Sequence, residues 1–259
     1  MFGDITSITI FFLILAAFSA GLVDAIAGGG GLIQLPALLI GLPQASTVEV
    51  LGTNKATSIF GTSASALMYR RSVKTDAKFL ASMAVPAFLG AVLGALSASK
   101  IPTQSMRPIV FVLLVAVAIY TWRKPDLGSI EKLRHDTKRR FSISVLSGTV
   151  IGFYDGIFGP GTGSFLMLTL IYLGFAFLSA SAIAKVVNVS TNLGAILIFG
   201  FNGAIIWQVA LVLATANVVG GLIGARLAIR GGSNLIRKVF LFVTLALIIK
   251  VGIDTFTNW

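Results

Sequence analysis

The sequence predicts an all-α polytopic membrane protein built from two inverted repeats, each a glycine-broken re-entrant hairpin followed by three transmembrane helices. Three observations carry this. First, the 259 residues are 56% hydrophobic and only 11% charged, with mean hydropathy +0.95, whereas a soluble domain is roughly 25% charged. Second, residues 21–42, GLVDAIAGGGGLIQLPALLIGL, recur 131 positions later as residues 152–174, GFYDGIFGPGTGSFLMLTLIYLG. Third, Lys and Arg gather in alternate loops, and equivalent loops of the two copies fall on opposite sides of that alternation.

The apolar segments run in order over 5–27, 31–42, 47–69, 79–98 and 107–122, then 141–158, 162–174, 178–201, 204–229 and 235–253. Residues 123–140, the one strongly hydrophilic stretch, link the two sets. The chain therefore reads as a single integral domain, 1–259, with repeat 1 over 5–122 and repeat 2 over 141–256. Outside the glycine motif the copies align at an offset of 130: Lys55 with Lys185, Gly90 with Gly220, Gly94 with Gly224, and Arg107 with Arg237. Identities at one offset indicate an internal duplication. The first apolar segment has no Lys or Arg before it and runs straight into the glycine motif, so it does not read as a cleaved signal peptide.

Charge sets the orientation. Arg70, Arg71, Lys74 and Lys78 follow segment 47–69, a larger group fills 123–140, and Arg226, Arg230, Arg237 and Lys238 form a third. The alternate loops hold only Lys100 and Arg107, and the turn near Asn202, the counterpart of the first basic turn, holds none. By the positive-inside rule the copies are inverted, the linker is cytoplasmic, and the protein sits in the cell membrane. The same distribution explains the net charge of +11 without a nucleic-acid site, which needs a basic face with base-reading groups. The absence of cysteine excludes disulfides and thiolate metal sites. No cofactor is expected.

Each glycine cluster is flanked by apolar sequence, so its backbone groups must face protein, water or ligand rather than lipid. The return arm 31–42 covers about 18 Å at roughly 1.5 Å per residue, against a hydrocarbon core of about 30 Å. The tips at Gly28, Gly29, Gly30 and Gly31 and at Gly159, Gly161, Thr162 and Gly163 are thus expected near mid-membrane. There the start of each short helix aims its free N–H groups and positive dipole end at the centre. Lys55 and Lys185, a few residues into their own segments, reach a similar depth, where a lone lysine costs about 2.5–3.5 kcal/mol on insertion scales. Asn54, Ser58, Asn188 and Asn192 accompany them. These residues make a candidate anion site; Asp24 and Asp155 either couple a proton or hold the hairpins, and they are also available to pair with the lysines. Gly90, Gly94, Gly220 and Gly224, at small-xxx-small spacing, are expected to pack helices.

The G-x-x-D-x-I-x-G-G-G-G opening, Gly52-Thr53-Asn54-Lys55, and Gly152-Phe153-Tyr154-Asp155-Gly156-x-Phe158-Gly159-Pro160 resemble the sulfite exporter TauE/SafE family of membrane transporters. The resemblance covers nearly the whole chain. It implies transport of sulfur-containing anions such as sulfite or organosulfonates, generally out of the cell. The copies depart from each other where Asn54 faces Ala184 and Gly29 faces Pro160.

The sequence reading is a secondary carrier, not an enzyme, in which one repeat rocks against the other around the central site. The partners are a small anionic substrate and the lipid bilayer, with a homodimer left open. An anion channel with the same site is the alternative. An intramembrane aspartyl protease would suit Tyr154-Asp155, but its partner Gly-x-Gly-Asp motif is absent. A serine protease would need a base near Ser164, and the only histidine, His135, lies in the charged linker and reads as solvated.

Overall fold

The computed structural model describes residues 7–98 and 130–257, together with Lys100 and Ile119. The described residues form helices joined by short turns, without strands. Apart from Ile119, segment 107–122, with Arg107, lies outside them, as does the first part of the linker.

Helix α1 (Ser7–Ala27) is apolar along most of its length, with Asp24 its one charged residue, and stops where Gly28 and Gly29 take φ of 75° and 96°, a region that glycine alone enters without strain. Helix α2 (Gly31–Gly41) starts immediately afterwards. With 11 residues it is about 16 Å long, half of a hydrocarbon core. Helix α3 (Thr47–Ser72) opens on a capping box: the Glu49 N–H donates to Ser46 Oγ at 3.3 Å, and the Ser46 N–H donates to Glu49 Oε2 at 2.8 Å. Ser46→Ala should cost about 1 kcal/mol, read as a lowered thermal midpoint in detergent. Arg70 and Arg71 close the same helix, where cations suit the negative end of the dipole. Helix α4 (Ala77–Ser97) is capped by Asp76.

The second half repeats the pattern. Helix α5 (Thr137–Ile157) is capped by Asp136, which accepts from the Arg139 N–H at 3.2 Å, so it starts four residues before the expected apolar boundary at 141. Gly159 and Gly161 then take positive φ, and α6 (Thr162–Tyr172) follows. Helix α7 spans Phe177–Phe201, and α8 runs over Trp207–Thr257. Gly232, with φ 60° and ψ −164°, interrupts α8 between the two expected segments. By length and composition α1, α4, α7 and the Trp207–Ala246 part of α8 can cross a membrane. Among the short apolar helices are α2 and α6.

The linker residues next to α5 are docked rather than free. The Lys132 and Arg134 N–H groups each donate at 2.8 Å, to the carbonyls of Gly174 and Leu173 respectively. His135 is half-buried against Tyr172, with ring centroids 5.6 Å apart, so it is not the solvated side chain that linker composition suggested.

Packing crosses the sequence halves. Helix α1 lies along α8, and α4 lies along α5. The glycines expected to permit close packing do so: a Cβ on Gly220 would stand 2.0 Å from the Phe18 carbonyl oxygen, and one on Gly94 would stand 2.1 Å from that of Phe153. The helices therefore gather as α1, α2, α3 and α8 on one side and α4, α5, α6 and α7 on the other, with α3 and α7 meeting between them. Two apolar clusters fill the ends of this assembly. One includes Ala25, Tyr69, Met83, Leu166, Leu170, Ile183 and Phe240; the other includes Leu13, Leu38, Val50, Leu51, Phe199, Ile205 and Leu213. Between them lies a polar layer.

Candidate functional site

The two glycine breaks meet at the centre of that layer. A Cβ on Gly28 would lie 2.5 Å from the carbonyl carbon of Gly163, and one on Gly163 would lie 2.7 Å from Gly28 Cα. The hairpins thus touch backbone to backbone, a contact open only to glycine at both positions.

The first break is tightly held because its helix ends inside the protein, where four last carbonyls would otherwise lack partners. The Gly28 N–H and Lys185 Nζ both donate to the Asp24 carbonyl. Tyr69 Oη donates to Ala25 O at 2.9 Å, Ser181 Oγ to Ile26 O at 3.2 Å, and Ser164 Oγ to Ala27 O at 3.4 Å. Helices α3, α6 and α7 therefore each supply a donor to the end of α1. At the second break, Tyr154 Oη donates to the Pro160 carbonyl at 2.5 Å, and Thr162 Oγ1 donates to Asp155 Oδ1 at 2.6 Å.

Both lysines are paired, and the pairs cross the halves. Lys55 of the first half binds Asp155 of the second at 2.6 Å, and Lys185 of the second binds Asp24 of the first at 2.8 Å. All four side chains are largely buried, with Asp24 the most accessible at 16%. Burial of single charges is costly, so each pair is compensated locally and the layer carries no net charge from these four groups.

A cavity of about 30 Å³ opens beside the pairs, lined by Asp24, Gly29, Gly30, Gly31, Asn54, Lys55, Ser58, Asp155, Gly159, Gly161, Thr162, Gly163, Asn188 and Asn192 among others. Residues drawn from both glycine tips and from α3 and α7 therefore converge. The first turns of α2 and α6 border it through Gly31, Thr162 and Gly163, with the positive end of each helix dipole toward the cavity; the Leu32 and Thr162 N–H groups are already bonded to the tip carbonyls of Gly29 and Gly159. Ser58 and Asn188 occupy equivalent positions at the 130 offset, as do Thr62 and Asn192.

Two expected site residues sit elsewhere. Lys185 is fully buried and turned onto Asp24, away from the cavity lining, because the end of α1 offers it both a carboxylate and a carbonyl. Gly28 is consumed by the tip contact with Gly163.

Three lining residues stand outside the sequence-derived set: Ala20, Thr62 and Asn217. Thr62 Oγ1 donates to Asp24 Oδ2 at 3.2 Å. Asn217, on α8, donates to the Ala17 carbonyl at 3.0 Å and to Gln34 Oε1 at 3.1 Å. It ties α8 to both arms of the first hairpin. Its only sequence signal is an amide inside an apolar segment that also holds Gln208; the offset position, Ala87, gives no duplicate. Asn217→Leu should lower the thermal midpoint, since it removes the second donor to the Ala17 carbonyl and leaves buried Gln34 Oε1 without one, at a cost of about 1–3 kcal/mol for the unpaired group.

Comparison with known proteins is consistent along the chain. The family described as sulfite exporter TauE/SafE matches residues 13–251. A probable membrane transporter protein, ORF9, of Sinorhizobium sp is 40% identical over 245 residues, covering 94% of this chain and 92% of that protein. A probable membrane transporter protein of Haemophilus influenzae is 34% identical, covering 93% of this chain and 94% of its own length. The probable membrane transporter protein YfcA of Escherichia coli K12 is also 34% identical, covering 94% of this chain and 89% of its own length. No solved structure matches.

Proposed function

Because this chain belongs to the sulfite exporter TauE/SafE family of membrane transporters, we propose that it is a secondary carrier of small sulfur-containing oxyanions, sulfite or an organosulfonate, working by alternating access in the cytoplasmic membrane and mainly as an exporter. The supporting observation is the convergence of both glycine tips, two helix starts and Lys55 on one buried polar cavity. Helix starts and glycine backbone present N–H donors to an anion without the desolvation cost of extra buried lysines. Asn54, Ser58, Asn188 and Asn192 add neutral hydrogen-bonding groups that suit oxygen atoms at several orientations.

In this reading the two halves are inverted repeats and form one integral domain, the helix pairs α1–α2 and α5–α6 are re-entrant hairpins, and the linker is cytoplasmic. A cavity of about 30 Å³ has room for two or so water molecules at roughly 10–15 Å³ each. A sulfur oxyanion has four or more heavy atoms, so binding must part the cavity walls. The bodies that part are the crosswise helix groups rather than the sequence halves, because α1 and α8, like α4 and α5, interlock at glycines. The α3–α4 and α7–α8 turns join these groups and serve as hinges. The apolar clusters at the two ends act as the alternating barriers.

A thermal-shift screen against sulfite, thiosulfate, sulfoacetate, taurine and acetate tests the substrate class. Stabilisation by sulfur oxyanions and not by acetate is expected; stabilisation by acetate alone overturns the assignment. Counterflow in proteoliposomes then separates carrier from channel. Saturable exchange is the expected result, and ohmic conductance would establish the channel reading instead.

A further inference from the structure

The two crossed ion pairs are not equivalent. Lys185 is fully buried and donates twice to Asp24, to its carboxylate and to its backbone carbonyl, at the end of α1 that Tyr69, Ser181 and Ser164 also secure. That pair is a latch. In the other pair both side chains line the cavity. Asp155 Oδ1 accepts from Lys55 and from Thr162, each at 2.6 Å, while Asp155 Oδ2 is buried with no hydrogen-bond partner, on a residue only 1% exposed. A buried carboxylate oxygen without a donor is costly in its charged form, and a proton bound there removes that charge.

Building on the carrier reading, we propose that Asp155 is the proton-coupling carboxyl and that a proton on Oδ2 enters together with the anion. While Asp155 is ionised it neutralises Lys55 and repels an anion in the cavity. Protonation leaves the Lys55 charge uncompensated beside the two helix starts, and the anion replaces the carboxylate as its partner. Release of the anion on the other side restores the carboxylate and frees the proton there, so a monoanion and one proton cross together without net charge movement.

The other charged or titratable groups around Asp155 leave it this role. Lys55 faces it from α3, and its neighbour Tyr154 is engaged with Pro160. Across the cavity, Asp24 on α1 is held by Lys185 on α7. Along α6 the titratable side chain is Tyr172 at its end, and along α4 it is Lys78 in its first turn.

Methanesulfonate is the probe, since a sulfonate does not titrate over the range of interest and any pH dependence belongs to the protein. Calorimetric titration of the wild-type protein in buffers of different ionisation enthalpy should show one proton taken up per anion bound. Affinity should fall by about tenfold per pH unit on the alkaline side. In Asp155→Asn, whose amide mimics the protonated acid, the slope should vanish and proton uptake with it. Tyr69→Phe, which loosens the end of α1 from outside the cavity lining, should keep both. Anion binding without proton uptake in the wild type, or a slope that survives in Asp155→Asn, overturns the proposal.

Infrared titration without any anion decides the carboxyl independently of the substrate. A protonated-carboxyl component present in the wild-type titration and missing from that of Asp155→Asn supports the assignment, since the other Asp and Glu side chains contribute to both. Titrations of the two proteins that show no such difference overturn it even if no sulfur oxyanion binds. Failure of binding with the band present counts against the carrier's substrate class alone.

Discussion

Lys55→Met should abolish anion counterflow in proteoliposomes. The side chain lies on the cavity lining and is the cation of the pair that faces it, so the variant removes the positive charge that holds a substrate. It also leaves Asp155 buried alone, and losing one partner of a buried pair costs about 3–5 kcal/mol. Lost flux by itself would therefore be ambiguous. The double variant Lys55→Met/Asp155→Asn resolves it: removal of the whole pair should return most of the stability, measured by thermal unfolding, while flux stays absent. Flux comparable to wild type in a well-folded double variant would refute a binding role for Lys55. Lys185→Met should destabilise as much, by exposing Asp24 to the same penalty, but its double variant with Asp24→Asn should recover methanesulfonate binding together with stability.

Gly28→Ala should be among the most damaging single methyl additions in the described residues. The added carbon would stand 2.5 Å from the Gly163 carbonyl carbon and 2.6 Å from Gly163 Cα, at a residue with φ of 75°. Left-handed backbone costs a residue with a side chain about 1–2 kcal/mol, and overpacking adds about 1–3 kcal/mol. Neither backbone segment can yield as a flexible side chain would. Gly203→Ala is the control: φ is 65° there, but nothing lies within 4 Å of the added carbon, so only the strain applies. A thermal midpoint for Gly28→Ala no lower than that for Gly203→Ala would show that the tips are not in contact.

Much of the site was readable before any coordinates, because polar groups in apolar sequence are expensive and therefore informative. Lys55 and both glycine clusters stand out against hydrocarbon-like surroundings, and Ser58, Asn188 and Asn192 lie at helical spacings from the lysines. The duplication exposed equivalent positions but not partners. An offset of 130 relates Lys55 to Lys185 and says nothing of which aspartate each meets, so the crossed pairing needed three-dimensional packing to appear. Equivalence also suggested equal roles for the lysines; the donor-rich end of α1 breaks that parity by drawing Lys185 away from the cavity. Asn217 escaped notice for the opposite reason, having no duplicate. Helix boundaries drawn from hydropathy missed the start of α5, since Asp136 caps a first turn made of Lys and Arg.

The hydrogen bond from Asn217 to the Ala17 carbonyl joins residues 200 positions apart and places the opening helix against the closing one. During synthesis at the ribosome, α1 is made well before α8, and its flank of Ala17, Ala20 and Gly21 has no mate until α8 follows. The nascent chain must therefore keep α1 waiting in lipid or beside the insertion machinery until α8 has been inserted. A polypeptide truncated before α8 would leave that flank, and with it the first hairpin, without the surface it was shaped to meet.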